Sequence, residues 1–293
     1  MPIRYDMPLY RPPSEGRNLI IQATLGCSYN HCSFCSNYYT KHFTVRPLED
    51  VFADIDNAAR AWPDADRVFL ADGDALVLPT DHLHRILDRL HAALPDLARV
   101  TSYATPDNIN RKSVEELRGL RERKLSLVYL GIESGEGEVL KRIAKGASPG
   151  GIGRAINRAR EAGVRVSAMV ILGLGGREYS ERHVDATVAL VNQAPPTYLS
   201  TLQLDLGRAE APGFLARWGK PFQPLDDHAV LGEMHRLVAG IAPAHPIIFR
   251  TNHASNALPL RGTLPRDRDA ILAVIDQARE TGSGVRPAFL RGS

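Results

Sequence analysis

The chain has 293 residues, 44% hydrophobic and 24% charged, with a formal net charge of +3. That length buries a sizeable core, and the ordinary apolar content excludes general disorder. No apolar run approaches the roughly 18 residues of a membrane-spanning helix, and the charge is too small for a dedicated duplex-binding domain, so neither a membrane nor a nucleic acid is indicated as a partner.

Residues 1–17 are polar and proline-rich and lack the apolar stretch of a secretory signal, so they read as an N-terminal extension of a cytoplasmic protein. From there strand and helix patterns alternate. Strands are expected at 18–23, 67–71, 99–104, 125–132, 165–172 and 199–206, each a short run rich in Val, Ile, Leu or Tyr. Helices are expected between them at 48–61, 81–94, 113–123, 136–144, 151–162 and 181–192. Pro47 and Pro149 stand just before helices, and Gly163 follows one, as a C-terminal stop should. Strands separated by helices in this rhythm predict six βα units and a parallel sheet, an α/β partial (β/α)6 barrel of the TIM-like kind.

The rhythm breaks after residue 206. Residues 208–225 read as a loop rich in Pro and Gly, followed by helices at 226–239 and 266–280. Between these lie a short apolar run at 246–249 and a polar stretch at 250–256. The expected division is therefore an extension at 1–17, a barrel core at 18–207 and a C-terminal extension at 208–293 that packs on or closes the barrel.

The cysteines are the most informative residues. There are three, Cys27, Cys32 and Cys35, all within nine residues and directly after the first strand. An odd number cannot pair fully into disulfides, and a chain without a secretory signal is expected in a reducing compartment. In a parallel barrel this position is the C-terminal rim, where active sites form. Three thiolates can hold three irons of a [4Fe–4S] cluster and leave the fourth iron open to a small molecule. A zinc site completed by His31 or His42 is the main rival. Structural or redox-active thiols are a third reading.

The arm Cys32-Ser33-Phe34-Cys35, with an aromatic residue before the last cysteine, resembles the radical S-adenosylmethionine (SAM) superfamily. The usual signature has three residues in the first gap; here Ser28 to His31 make it four. Three further segments follow in the order that the superfamily shows. Asp72-Gly73-Asp74, after the second strand, is similar to the Gly-Gly-Glu-type segment that holds the SAM amino group. A glycine there lets the backbone approach, and a carboxylate complements an ammonium; the same tripeptide also makes an ordinary turn. Gly131-Ile132-Glu133-Ser134-Gly135 is similar to the segment that meets the SAM ribose. The resemblance puts Glu133 and Ser134 there, and Lys145 at the methionine carboxylate. Taken alone, Glu133 reads as an acid at a helix N-terminus and Lys145 as a solvated lysine. The strand ending Ile171-Leu172-Gly173-Leu174-Gly175 is similar to the one whose backbone lies against the adenine, which implicates Ile171. The resemblance covers residues 18 to 206.

What it implies is an enzyme with a [4Fe–4S] cluster on Cys27, Cys32 and Cys35 and SAM as second cofactor, with Phe34 beside the cluster. A one-electron donor of the flavodoxin or ferredoxin type would reduce it. The product would be a 5′-deoxyadenosyl radical that takes hydrogen from a small-molecule substrate. Cleavage of the aminocarboxypropyl bond is one alternative, and a non-catalytic iron–sulfur or zinc module another. No second cysteine set exists for an auxiliary cluster. The stretch 250–256, dense in hydrogen-bonding groups, reads either as a substrate-facing segment or as a helix cap.

Overall fold

The computed structural model describes residues 3–206 and 211–292. The expected boundary at 207/208 and the start of the expected loop, 208–210, lie outside the described residues. Two compact units form. One comprises residues 1–30, 35–130 and 158–166, the other 31–34, 131–157 and 167–293.

The first unit holds β1 (Leu19–Gln22), β2 (Thr24–Leu25), β3 (Thr44–Val45), α1 (Leu48–Ala61), β4 (Arg67–Ala71), α2 (Thr80–Ala93), β5 (Arg99–Ala104), α3 (Pro106–Asn110) and α4 (Val114–Glu122). It also holds all but the last three residues of β6 (Leu125–Glu133). Strands β1, β4, β5 and β6 run parallel in that order, with Leu19 opposite Val68, Arg67 opposite Arg99 and Ala104 opposite Leu130. Val68 to Ala71 are all buried, which is why the strand reads as an unbroken apolar run. The helices each bury one stripe: Val51, Ile55 and Ala58 on α1, and Leu83, Ile86, Leu87 and Leu90 on α2. Spacings of three and four put these residues on one face, and each buried Leu or Ile contributes about 1.5–3 kcal/mol of transfer free energy. A reciprocal cap starts α4: the Glu116 N–H donates to Ser113 Oγ (3.1 Å), and the Ser113 N–H donates to the Glu116 carboxylate (2.7 Å).

The second unit holds α5 (Gly137–Arg142), most of α6 (Pro149–Glu161), most of β7 (Arg165–Leu172), α7 (Gly176–Gln193), β8 (Tyr198–Gln203), α8 (Ala211–Trp218), α9 (Asp227–Gly240), β9 (Ile247–Arg250), β10 (Arg261–Leu264) and α10 (Arg268–Thr281). Strands β7, β8 and β9 are parallel, and β10 closes the row antiparallel to β9. Helix α9 packs on both α7 and α10. The parallel strands with intervening helices give the α/β architecture of a partial, TIM-like (β/α)6 barrel.

Among the elements that differ from expectation are two in the C-terminal third. The supposed loop at 208–225 contains α8. Pro212 sits in its first turn, where a missing N–H costs nothing, and Phe214 and Trp218, four residues apart, bury one face. Trp218 stacks on Phe214 at 5.5 Å and meets Phe222 and Tyr179 edge-on. The stretch after residue 256 adds β10, whose sequence Arg-Gly-Thr-Leu carries no apolar alternation.

Candidate functional site

The chain from Gly26 to Cys35 forms no helix or strand, and its three cysteines are half-buried and outside any disulfide, with Cys27 and Cys35 in the first unit and Cys32 in the second. The turn after β4 holds one end of this loop by four hydrogen bonds. Asp74, fully buried, accepts hydrogen bonds from the Ser28 N–H (2.8 Å) and the Ser28 hydroxyl. The Gly73 N–H donates to the Gly26 carbonyl at 2.9 Å. Asp72, also fully buried, accepts from the Gly26 N–H at 3.2 Å. Gly73 is required by space: a Cβ there would lie 2.7 Å from Cys27 Cβ and 2.9 Å from the Tyr38 ring.

Asp72 is neutralised by Lys41, whose Nζ lies 2.8 Å away, and Lys41 also reaches Asp6 at 2.9 Å. A lysine is almost never buried unless paired in this way, and removing one partner of such a pair costs about 3–5 kcal/mol. The sequence gives little sign of Lys41, because it lies in an irregular segment without periodicity. Burial raises the Asp74 carboxyl above its ordinary range against the hydrogen bonds from Ser28. Burial, and then the charge of Asp74, raises the Cys27 thiol.

In the second unit Glu133 and Lys145, twelve residues apart, form an ion pair at 2.7 Å with side chains 9% and 11% exposed. Gly131 makes room for it: a Cβ there would come within 2.7 Å of Lys145 Nζ and closer still to the Glu133 carboxylate. Glu133 itself takes a left-handed conformation with φ of 60°, a costly one for a residue with a Cβ. Gly135 packs against the backbone of α7, where its Cβ would lie 2.5 Å from the Thr187 nitrogen, and its N–H donates to Thr187 Oγ1 at 2.8 Å. Ser134 Oγ lies 2.8 Å from His183 Nδ1 and accepts from the Glu136 N–H at 2.9 Å. Burial pushes the fully enclosed His183 down to about 4, against the pull of the Ile171 backbone, so the ring is neutral at pH 7. His183 thus stands between two of the sequence-predicted residues, Ser134 and Ile171. Only its place on the buried stripe of α7 hints at it in the sequence.

Ile171 is buried near the end of β7. The turn beyond it is fixed from α9: Glu233 accepts hydrogen bonds from the Gly173 N–H (2.6 Å) and from Ser180 Oγ (2.7 Å). Burial raises the Glu233 carboxyl to about 7. The Ser33 N–H, between Cys32 and the half-buried Phe34, donates to the Ile143 carbonyl at 3.0 Å.

The structure therefore brings Cys27 together with Asp72, Gly73 and Asp74, and Glu133 together with Ser134 and Lys145. Among the described residues no three of His, Cys, Asp and Glu converge as ligands of one metal ion. Three thiolates are donors of the kind that a four-iron cluster takes, each on a separate iron. No helix of the described residues is long and apolar enough to cross a membrane.

The chain is similar to known proteins over part of its length. Over 178 residues the chain is 21% identical to the heme chaperone HemW of Bacillus subtilis, a match covering 56% of this chain and 47% of the relative. Coproporphyrinogen III oxidase (HemN) of Escherichia coli, a radical SAM enzyme, superposes with a TM-score of 0.57 at 16% identity, over 76% of this chain and 51% of that one. The radical SAM methyltransferase TsrM of Kitasatospora setae, solved with cobalamin and a [4Fe–4S] cluster, gives a TM-score of 0.50 at 22% identity, over 64% and 36%. The chain spans about half the length of the curated relative. Residues 21–191, more than half of the chain, match the radical SAM superfamily, and the protein is an enzyme of that superfamily, whose cofactors are a [4Fe–4S] cluster and SAM.

Proposed function

We propose that Cys27, Cys32 and Cys35 hold the cluster, that SAM occupies its open iron, and that the enzyme makes a 5′-deoxyadenosyl radical which takes a hydrogen atom from a small molecule. The observation that carries this reading is the joint between Cys27 and the Asp72–Asp74 turn, since Gly73 leaves no room for a methyl group beside the cysteine. When bound, the cluster supplies one electron to the sulfonium of SAM, which parts into methionine and the 5′-deoxyadenosyl radical.

The chain's own residues place the reactants. The turn Asp72–Asp74 presents backbone groups to the amino end of SAM, while the Asp74 carboxylate keeps Ser28 in place. Glu133 meets the ribose, and Lys145, paired with Glu133 at 2.7 Å, shares its charge with the methionine carboxylate. Ser134 and Ile171 are held through His183. The donor of the electron is a flavodoxin or ferredoxin, and the clustered thiols suit the reducing cytosol. Residues 18–207 are the catalytic core in this reading, with 208–293 as an extension that packs on or closes it.

Anaerobic reconstitution followed by reduction with dithionite in the presence of SAM tests the proposal. The expected result is about four irons per chain and release of 5′-deoxyadenosine with methionine. Methylthioadenosine as product would move the cleavage to the aminocarboxypropyl bond. Stoichiometric zinc without iron uptake would overturn the reading.

A further inference from the structure

Strands β7 to β10 of the second unit share one lateral row of side chains, on the face opposite the one that packs against α10. Register puts Met169 beside Ser200, Ser200 beside Arg250, and Arg250 beside Arg261. Paired residues on neighbouring strands point to the same face. The opposite face belongs to the helices: Gly262, one residue on from Arg261, would put a Cβ 2.7 Å from Ile271 of α10, and its partner Phe249 is fully buried. Met169, Ser200 and Arg250 are half-buried, and Arg261 is exposed.

Two arginines directly opposite each other on paired strands repel. Among the described residues neither has a carboxylate within ion-pair distance, whereas Arg291 of the same unit is doubly bonded to Asp227 at 2.7 Å. Arg250 is instead braced from below: its guanidinium lies 5.0 Å from the centre of the Tyr198 ring, one row down on β8. A planar cation stacked on an aromatic ring keeps its fork of N–H donors directed at a partner. Ser200 adds a neutral hydroxyl in the same row. On the other side the row turns apolar, through Met169 and, one row up, Ile171 and Leu202.

We infer that Arg250, with Arg261 and Ser200, is the anchor for an oxyanion of the substrate, a carboxylate or a phosphate group. This rests on the function proposed above, because it is the substrate of the radical that the site would hold. Strands lie about 4.8 Å apart, so the anion would sit roughly 10 Å across the sheet from Met169, beneath the end of β7. The substrate class is then a small molecule with an anionic head at β9–β10 and an apolar portion over Met169 and Ile171, from which hydrogen is taken. Arg250 is a specificity-determining residue in this scheme, and Tyr198 a positioning residue.

The test is calorimetric titration of the full-length, cluster-loaded protein, kept anaerobic with SAM present, using succinate in one series and inorganic phosphate in another. Saturable binding of at least one of them is expected, and which one separates carboxylate from phosphate. Arg250→Ala should weaken it about tenfold or more. Arg250→Lys should keep part of the affinity, because charge remains without the fork, and Arg261→Ala should lose less than Arg250→Ala. Arg118→Ala, which removes an exposed charge from α4 in the other unit, should leave anion affinity within about twofold. SAM affinity should be the same in all variants. If Arg250→Ala fails to fold by circular dichroism, Arg250→Lys and Arg261→Ala carry the comparison. No saturable heat with either anion in the wild type overturns the inference, as does equal affinity in wild type and variants. A wild type that binds the anion through Arg250 but never binds SAM would instead count against the proposed function.

Discussion

A methyl group at residue 73 has nowhere to go. Its nearest neighbours would be Cys27 Cβ at 2.7 Å, Cys27 Cα at 2.9 Å and the Tyr38 ring at 2.9 Å, and two of these belong to the backbone-anchored cysteine itself. Tyr38 is buried and has little freedom to yield. Gly73→Ala should therefore shift the cysteine loop, at an overpacking cost of about 1–3 kcal/mol. The expected outcome is a folded protein that takes up clearly less iron on reconstitution, read by iron analysis beside circular dichroism. Normal iron content would show that the loop has slack which the packing does not reveal. The neighbouring carboxylates follow a different logic. Asp72 and Asp74 are legible in the sequence as a pair flanking a glycine, but their partners are not: Lys41 and Ser28 reach them from segments without periodicity. Close approach of two irregular segments leaves no trace in the spacing of either.

At the scale of elements, legibility follows from burial. The strands at 67–71, 99–104 and 165–172 agree with expectation at both ends, and each is buried along most of its length; 67–71 is apolar from Val68 on, whereas 99–104 holds the buried polar pair Thr101 and Ser102. Helix α3 escapes notice because it is five residues long, too short for a periodic stripe to declare itself. Helix α8 escapes because Pro212 and Gly213 look like breakers when they fall in the first turn. Helix α7 begins five residues earlier than the pattern at 181–192 suggests, at Gly176. Its His183 gives a pH dependence. Burial lowers this histidine from 6.5 to about 4, so below pH 6.5 the unfolded chain binds a proton that the folded one refuses. The stabilisation is complete above 6.5 and declines as the pH falls toward 4. Urea melts at pH 7.5 and 5.5 (values chosen to span about one unit either side of an ordinary histidine) should show the lower midpoint in acid, and His183→Asn should flatten the difference. An unchanged difference in that variant would assign the acid sensitivity to another group.

The whole molecule is divided in a way that its chain does not respect. The first unit claims residues 158–166 and the second claims 131–157, so β6, α6 and β7 each contribute residues to both. A tryptophan marks each unit: Trp62 is 55% exposed in the first, and Trp218 is 1% exposed in the second. Trp218→Phe should leave a red-shifted emission even in the native protein, and Trp62→Phe a blue-shifted one that moves to the red on unfolding. Because shared strands cannot be half formed without losing their ladders, the two probes should report coincident urea transitions. Separated midpoints would mean that one unit keeps its structure while the other melts. The same division bears on how the protein could be cut. The chain passes between the units at residues 30/31, 34/35, 130/131, 157/158 and 166/167. No single break separates them, so a library of truncations or split halves should give no soluble fragment that corresponds to either one, and the gene is to be engineered as one indivisible piece.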